Sequence, residues 1–270
     1  MIIKCKLLSK LGFTNSKQEI IWYLEQLDLL TMEKLYTNNI ILKNNKNKKI
    51  EFFYNERKQS KPYQYIIKQS NYYGRDFYID ERVLIPRPET EVLIEYIKNK
   101  KFNNCLEIGV GSGIISITLL LESIAHQITA TDISQDALNV AEHNFKKFHL
   151  TNYTLLKHNV LTDSFSNQFD LVISNPPYIT QDEYIKLPLE IKNYEPQIAL
   201  TDHKDGLVFY QRFSQILNNI LNPNGVFISE ISSTIDINKV VEIFKNKKYQ
   251  VKVIKDLSKN NRAIIISNDI

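Results

Sequence analysis

The chain has 270 residues, of which 43% are hydrophobic and 24% are charged, and its net charge is +4 at pH 7. This composition is ordinary for a globular protein of one or two domains, and no apolar run approaches the ~18 residues that a membrane span needs. The two cysteines and five histidines show no metal-ligand spacing, so we predict no metal site. The absence of a secretory signal pattern and of a disulfide framework predicts a cytoplasmic protein.

The amino-terminal part of the chain predicts helices. Ser16 and Glu19 form a capping-box pattern ahead of apolar residues that recur on one helical face. A helix-compatible pattern continues over 29–42, and the lysine- and asparagine-rich tract 43–49 predicts a solvated loop. The helical pattern then resumes over 50–55. These features are typical of a small helical bundle.

A short linker follows the helices. Residues 70–85 are aromatic and alternating, with Gly74 at a turn, which predicts a β-hairpin. The two prolines of 83–91 hold the chain extended, and Glu89 and Glu91 fall near the first turn of a helix, where the helix dipole favours acidic residues. The polar residues of this stretch either line a ligand entrance or form a structural turn and helix cap.

From residue 104 onward the chain alternates strand and helix patterns. The predicted strands are 104–108, 127–133, 154–158, 169–174, 226–231, 249–254 and 263–267, and the predicted helices are 114–122, 135–149, 206–221 and 237–246. This alternation predicts an α/β, Rossmann-like domain over residues 86–270, with a doubly wound, mostly parallel seven-stranded sheet. A helical domain of residues 1–69 and the hairpin linker precede it. Ligands of such domains bind at the carboxyl ends of the strands.

Three of the seven glycines lie within five residues, directly after the first strand of this domain. Such clustering indicates close approach of the backbone to a ligand. The dinucleotide pattern G-x-G-x-x-G is incomplete, because its last position falls on Ile114 or Ser116. The spacing G-x-G-x-G, with Glu107 two residues earlier, resembles the first motif of S-adenosylmethionine-dependent methyltransferases. The predicted cofactor-binding turn consists of Gly109, Val110, Gly111, Ser112 and Gly113.

A carboxylate and an apolar residue extend this predicted cofactor site. Asp132 ends the second strand, where a carboxylate can accept hydrogen bonds from both ribose hydroxyls. The alternative role for Asp132 is to cap the next helix, although Ser134 can do so as well. After the third strand, Asn159 and Val160 occupy the position where this class contacts adenine, with asparagine in place of the more usual aspartate. We therefore predict S-adenosylmethionine as the cofactor.

The fourth strand ends in Asn175-Pro176-Pro177-Tyr178. Asn-Pro by itself marks a turn. Methyl transfer to an amide nitrogen, however, needs a lone pair turned away from its conjugated carbonyl. The Asn175 side-chain oxygen and the Pro176 carbonyl can accept hydrogen bonds from the two N–H groups of that amide and stabilise the positive charge that develops on its nitrogen. Tyr178 can stack on the planar amide. We predict Asn175, Pro176 and Tyr178 as catalytic, all four residues as substrate-binding, and Asn175 also as cofactor-binding, next to the sulfonium methyl.

This tetrapeptide is similar to the motif of methyltransferases that act on planar nitrogens in DNA, ribosomal RNA and protein glutamine. The block 84–91, LIPRPETE, resembles the one characteristic of the peptide chain release factor glutamine methyltransferases, and similar segments span residues 62–267. The chain departs from the family pattern in three places, namely Lys68 for glycine, His203-Lys204 for a glycine pair, and Ser232 for glycine.

The resemblance implies that the substrate is the glutamine of the Gly-Gly-Gln loop in class I release factors, methylated on its side-chain amide nitrogen. It also implies that the helical domain and hairpin help to hold that protein. We further predict a monomer with no membrane partner. The mild basic charge shows no compact cluster, so no stable nucleic-acid partner is predicted. Two alternatives stay open, a nucleic-acid base N-methyltransferase with the same clamp and a non-catalytic protein on this fold.

Overall fold

The structure, a computed structural model, describes residues 2–27 and 44–267. In chain order the helices are α1 Ile2–Lys10, α2 Ser16–Gln26, α3 Asn44–Lys58, α4 Tyr63–Ile67, α5 Glu91–Ile97, α6 Ile114–Leu121, α7 Gln135–Lys147, α8 Gln181–Lys186, α9 Leu189–Tyr194, α10 Val208–Ile220 and α11 Ile237–Lys245, with 3-10 turns at Pro88–Thr90 and Gln197–Ala199. The strands are β1 Gln69–Tyr72, β2 Arg75–Tyr78, β3 Phe102–Ile108, β4 Ala125–Asp132, β5 Tyr153–Lys157, β6 Phe169–Ser174, β7 Leu221–Glu230, β8 Gln250–Lys255 and β9 Asn261–Ser267.

The chain divides into two compact units. The helical unit contains the described parts of Met1–Gln69 together with Pro188–Tyr194, and the α/β unit contains Ser70–Leu187 and the described part of Glu195–Ile270. The apolar core of the helical unit joins α1, α2 and α3 through fully buried side chains such as Leu8, Leu24 and Phe53. Its α9 segment therefore comes from a distant part of the sequence.

Two predictions for the helical region are wrong. The capping box does not form, because Ser16 is the first residue of α2 and the buried Glu19 accepts a hydrogen bond from Arg57 Nε at 2.8 Å. A guanidinium is the stronger partner for a buried carboxylate. The loop predicted over 43–49 is instead helical from Asn44 onward, since α3 is anchored by the buried Ile50 and Phe53 one turn apart. The predicted segment 29–42 lies outside the described residues.

The hairpin prediction is confirmed. Strands β1 and β2 pair through a two-residue turn in which Tyr73 has φ +50° and Gly74 has φ +72°. Two central residues with positive φ define the turn type whose twist matches that of paired strands. Two of the family departures also fall in left-handed backbone, since Lys68 has φ +53° and His203 has φ +60°. These side chains occupy conformations that glycine adopts more readily.

The seven-stranded sheet is also confirmed. Its order is β5-β4-β3-β6-β7-β9-β8, with β3 to β7 parallel and β9 antiparallel to both of its neighbours. The chain builds outward from β3 to β5 and then returns to place β6 on the other side of β3. The carboxyl ends of β3 and β6 therefore flank the point where the strand order reverses, which is where ligands bind in such sheets.

Apolar residues cover both faces of the sheet. Along β6, Leu171 and Ile173 join the cluster that packs against α5, α6 and α7, whereas Val172 joins the cluster that packs against α10 and α11. A strand buried on both faces is expected in a parallel sheet covered by helices. None of the helices in residues 2–27 and 44–267 combines the length and the apolar character of a membrane span.

Candidate active site

The glycine-rich turn links β3 to α6 at the centre of the sheet. The amides of Gly109 and Val110 donate to the Thr131 carbonyl at 2.8 and 2.9 Å, which ties the turn to β4. Gly113 has φ +85°, and a Cβ there would lie only 3.1 Å from Ile117 Cδ1. Gly113 is thus held in a left-handed conformation, and its lack of a side chain lets the turn pack closely against the start of α6.

Glu107 supports this turn from inside the protein. Its carboxylate is buried and accepts hydrogen bonds from the Ser116 amide at 2.9 Å and from the Ser116 hydroxyl. Burial raises the pKa of Glu107 to about 8, although both Ser116 hydrogen bonds act to lower it. This carboxylate links the end of β3 to the first turn of α6.

Asp132 ends β4 beside the glycine turn. One carboxylate oxygen accepts from the Gly111 amide at 3.0 Å and the other from the Ser134 amide at 2.9 Å. Burial raises the pKa of Asp132, and these backbone hydrogen bonds oppose the rise. Ser134 caps α7 by accepting from the Ala137 amide at 3.2 Å, so capping does not require Asp132. A carboxylate has about four lone-pair sites, so Asp132 retains acceptor capacity for a ligand hydroxyl beyond its backbone hydrogen bonds.

One cavity collects most of the predicted site residues. Its lining includes Gly109, Val110, Gly111, Ser112, Asp132, Asn159, Val160, Asn175, Pro176 and Pro177. Gly113 and Tyr178 do not line it. Three apolar residues that were not predicted, Ile133, Leu161 and Phe209, also contribute to the wall. A carboxylate beside apolar walls and a glycine-rich turn fits the ribose and adenine of a nucleoside cofactor.

Asn175 lies directly beside the glycine turn. Ser174 Oγ donates to the Ile108 carbonyl at 2.8 Å, so β6 stays attached to β3 up to its last residue. A Cβ added at Gly109 would lie 3.9 Å from the Asn175 backbone oxygen. The predicted clamp and the predicted cofactor turn therefore occupy adjacent strand ends.

The loop after Asn175 is braced by a second segment of the α/β unit. The Ile179 amide donates to the Leu200 carbonyl at 3.0 Å. Gly206 has φ +78°, and a Cβ there would overlap the Tyr178 backbone oxygen. The close approach of these two backbones is possible because residue 206 has no side chain.

A buried polar chain leads away from Asn175. Asn175 Nδ2 donates to Thr90 Oγ1 at 3.2 Å, Thr90 Oγ1 donates to Glu230 Oε2 at 2.7 Å, and the Tyr178 hydroxyl donates to Glu230 Oε1 at 3.0 Å. Thr90 and Glu230 are buried. Glu230 is not among the predicted site residues, because it lies at the end of β7, far from the NPPY segment in sequence. Thr90 lies within the LIPRPETE block, so that block was the sequence signal that could have indicated a role for Thr90 in the site.

An ion pair holds the wall formed by the same block. Arg87 Nη2 lies 2.6 Å from Glu195 Oε1, and the buried Glu195 also accepts from the Ile85 amide at 3.3 Å. Arg87 lines the cavity, as do Pro196 and Ile198 next to Glu195. In the described part of the chain, no group of three or more His, Cys, Asp or Glu side chains is arranged to hold a metal ion.

Comparisons with known proteins give a consistent result. A family model described as the methyltransferase small domain matches residues 88–189. A release factor glutamine methyltransferase of Clostridium acetobutylicum is 32% identical over 260 residues, covering 90% of this chain and 91% of that protein. One of Streptococcus pneumoniae is 36% identical over 224 residues, covering 81% of this chain and 79% of that protein.

A longer relative and a solved structure complete the comparison. A bifunctional methyltransferase of Rickettsia prowazekii is 38% identical over 76% of this chain, which spans 44% of that protein's length. The crystal structure of a methyltransferase from Pyrococcus furiosus has a TM-score of 0.57 and 17% identity, covering 83% of this chain and 99% of that chain. At this level of identity, the structural similarity supports the fold.

Proposed function

The chain belongs to the release factor glutamine methyltransferase family, and we propose that it methylates the side-chain amide nitrogen of the glutamine in the Gly-Gly-Gln loop of class I peptide chain release factors. It is an S-adenosylmethionine-dependent protein-glutamine N-methyltransferase, and S-adenosylmethionine is its cofactor. The observation that carries this proposal is the position of Asn175 beside Gly109, at the reversal point of the sheet.

The cofactor is held by residues of the glycine turn and its neighbours. Asp132 would accept hydrogen bonds from the ribose hydroxyls, and Ile133, Val160 and Leu161, which line the cavity, would enclose the adenine. When bound, S-adenosylmethionine supplies an electrophilic methyl group on its sulfonium sulfur. The glycines allow it to approach the backbone closely at the end of β3.

Asn175 and Pro176 orient the nucleophile. The Asn175 Oδ1 atom and the Pro176 carbonyl accept hydrogen bonds from the two N–H groups of the glutamine amide. These hydrogen bonds turn the nitrogen lone pair toward the methyl group. Both acceptors would also stabilise the positive charge that develops on the amide nitrogen as it takes the methyl group. One N–H proton then leaves to solvent. The prolines keep the accepting carbonyl rigid, because each fixes its own φ.

Partner and context follow from the same proposal. The release factor is a protein substrate that docks with the help of the helical domain of residues 1–69 and the hairpin linker 70–85, while the methyltransferase domain of residues 86–270 carries out the transfer. We propose that the enzyme acts as a monomer in the cytoplasm and keeps no stable nucleic-acid partner. The relatives' names support the release factor as the substrate.

A labelling experiment tests the proposal. The purified protein is incubated with methyl-labelled S-adenosylmethionine and, in separate reactions, a release factor, a release factor whose Gly-Gly-Gln glutamine is replaced, ribosomal RNA or DNA. Label is expected only in the unmodified release factor. Label in RNA or DNA and not in the release factor would favour a nucleic-acid methyltransferase, and cofactor binding without any transfer would favour a non-catalytic protein.

A further inference from the structure

Resting on the function proposed above, we infer that Glu230 is a positioning residue that acts through Thr90 to fix which end of the Asn175 carboxamide faces the substrate nitrogen. Glu230 itself does not line the cavity, whereas Thr90 and Asn175 do. The carboxylate controls a catalytic group that it does not contact.

The geometry provides a continuous path between these residues. From Asn175 Nδ2 to Thr90 Oγ1 the distance is 3.2 Å, and from Thr90 Oγ1 to Glu230 Oε2 it is 2.7 Å. Glu230 has no solvent exposure and Thr90 is 1% exposed, so water does not compete for these atoms. Buried hydrogen bonds of this kind hold their partners in one arrangement more firmly than exposed ones do.

The direction of each hydrogen bond follows from the donor inventory. An ionised carboxylate can only accept, so Thr90 must direct its single hydroxyl proton at Glu230. The Thr90 oxygen then has only lone pairs to offer to Asn175. The carboxamide must therefore present its NH₂ group to Thr90, which leaves Oδ1 as the atom available to the substrate. A reversed amide would place a donor against the glutamine N–H bonds and abolish the clamp.

The same carboxylate also holds the next element of the motif. The Tyr178 hydroxyl donates to Glu230 Oε1 at 3.0 Å, so both ends of the NPPY segment are attached to one buried group. Burial and the neighbouring Glu230 raise the pKa of Tyr178 well above its usual value, which keeps this hydroxyl a donor. Glu230 thus accepts hydrogen bonds from two elements of the site.

The protonation state of Glu230 sets the direction of the hydrogen bonds that run from Asn175 through Thr90 to Glu230. Burial raises the pKa of Glu230 to about 7, while the Thr90 and Tyr178 hydrogen bonds and Arg262 lower it and Glu89 raises it. Tyr72 and Tyr210 are the other ionisable groups that face it. Above this pKa the ionised carboxylate accepts hydrogen bonds from both hydroxyls. Below it, Glu230 carries its own proton and one hydroxyl must turn away, which allows Thr90 to donate to Asn175 Oδ1 and reverse the amide.

Four variants test the inference with the full-length protein. T90V removes the hydroxyl while keeping the shape of the side chain, and T90S restores the hydroxyl. E230Q replaces the titratable Glu230 carboxylate with a neutral amide. Y210F is the matched control, because the Tyr210 hydroxyl donates to the backbone carbonyl of Glu230 at 2.9 Å and does not contact its carboxylate. For each protein, kcat and KM for release factor, the affinity for S-adenosylhomocysteine and the pH profile are measured.

We expect T90V to lower kcat by about tenfold or more, with KM and cofactor affinity within about twofold, by analogy with loss of a hydrogen-bonded partner behind a metal ligand, which typically costs about 10–100-fold. T90S should recover most of kcat. Y210F should lower the unfolding temperature and leave kcat within about twofold of the wild type. Wild-type kcat should fall on the acidic side with a midpoint near pH 7, and E230Q should lose that limb of the profile.

A second readout needs no substrate. In ¹⁵N NMR spectra of the free protein, the Asn175 side-chain NH₂ should exchange slowly with solvent in the wild type and T90S and rapidly in T90V. Its signal should titrate near pH 7 in the wild type and not in E230Q. If the wild type fails to methylate release factor, the proposed function fails, yet the NMR result still decides the orientation. An unchanged kcat or unchanged exchange in T90V, or an acidic limb that persists in E230Q, overturns the inference.

Discussion

The turn Gly109–Gly113 and the segment Asn175–Tyr178 lie at neighbouring strand ends, but they are supported in different ways. The glycine turn is stabilised by its own conformation and by hydrogen bonds to the adjacent β4, where the Asp132 that accepts from the Gly111 amide is 21 positions away. The NPPY segment depends on residues that are far away in sequence, since Thr90 is 85 positions from Asn175 and Glu230 is 52 positions from Tyr178. The glycine turn therefore depends on its own conformation and on the neighbouring strand, whereas the reactive group is positioned by contacts that are more distant in sequence.

The largest expected effect concerns the reactive group itself. Asn175→Ala should lower turnover by about 10²-fold or more, because it removes an oriented hydrogen-bond acceptor that acts in the transition state. Cofactor affinity should change little, since the glycine turn and Asp132 are untouched. Methyl transfer to release factor and calorimetric titration with S-adenosylhomocysteine measure the two quantities. Near-normal turnover would remove Asn175 from the mechanism and with it the contrast between the two loops.

The next effect should appear on the binding side alone. Asp132→Asn should weaken cofactor binding by about tenfold or more, since a hydrogen bond to a charged group contributes about 1.5–3 kcal/mol. Turnover at saturating cofactor should change by less than about threefold, because Asp132 lies at the ribose and not at the transferred methyl group.

Asp136→Asn provides the matched control for that experiment. Asp136 is exposed in the first turn of α7 and does not face the cavity. Its replacement by asparagine therefore removes one negative charge near Asp132 without removing a contact to the cofactor. Its cofactor affinity should equal that of the wild type. Equal weakening in both variants would show that the charge acts at long range, and that Asp132 makes no specific contact with the ribose.

A smaller effect should come from the brace behind the NPPY segment. Gly206→Ala should lower turnover by about tenfold and the free energy of unfolding by about 1–3 kcal/mol, because the new Cβ would overlap the Tyr178 carbonyl oxygen and φ is positive there. Gly12→Ala is the control, since Gly12 has φ +96° with nothing within 4 Å of the added Cβ. If both variants show the same loss of stability and normal turnover, the close contact at Tyr178 has no functional role.

The same contrast explains how much the sequence could predict. The strands, the hairpin and the glycine turn depend on periodicity and on glycine, which are local signals, and their predicted positions agree with the structure to within a few residues. Glu230 belongs to the site through hydrogen bonds from Thr90 and Tyr178, neither of which is near it in sequence. A pattern of single residues does not reveal a contact of that kind.

The errors in the helical unit have the same origin. Ser16 and Glu19 match a capping box as a pattern, but Glu19 is paired with Arg57, 38 positions away. The tract from Asn44 onward is polar enough to predict a loop, yet the apolar residues that follow it in α3 pack into the core and extend the helix. In both cases a long-range contact outweighs a local preference.

The helical unit is assembled from two separate stretches of the chain, and this limits how the protein can be divided. Arg57 bonds to Glu19 at 2.8 Å and to Glu190 of α9 at 2.9 Å, so the guanidinium joins both stretches. A fragment that starts at the hairpin would keep α9 while losing the cation that pairs with it. Chimeras that exchange the amino-terminal portion between homologous enzymes should therefore exchange Pro188–Tyr194 as well, because the two stretches form one compact unit.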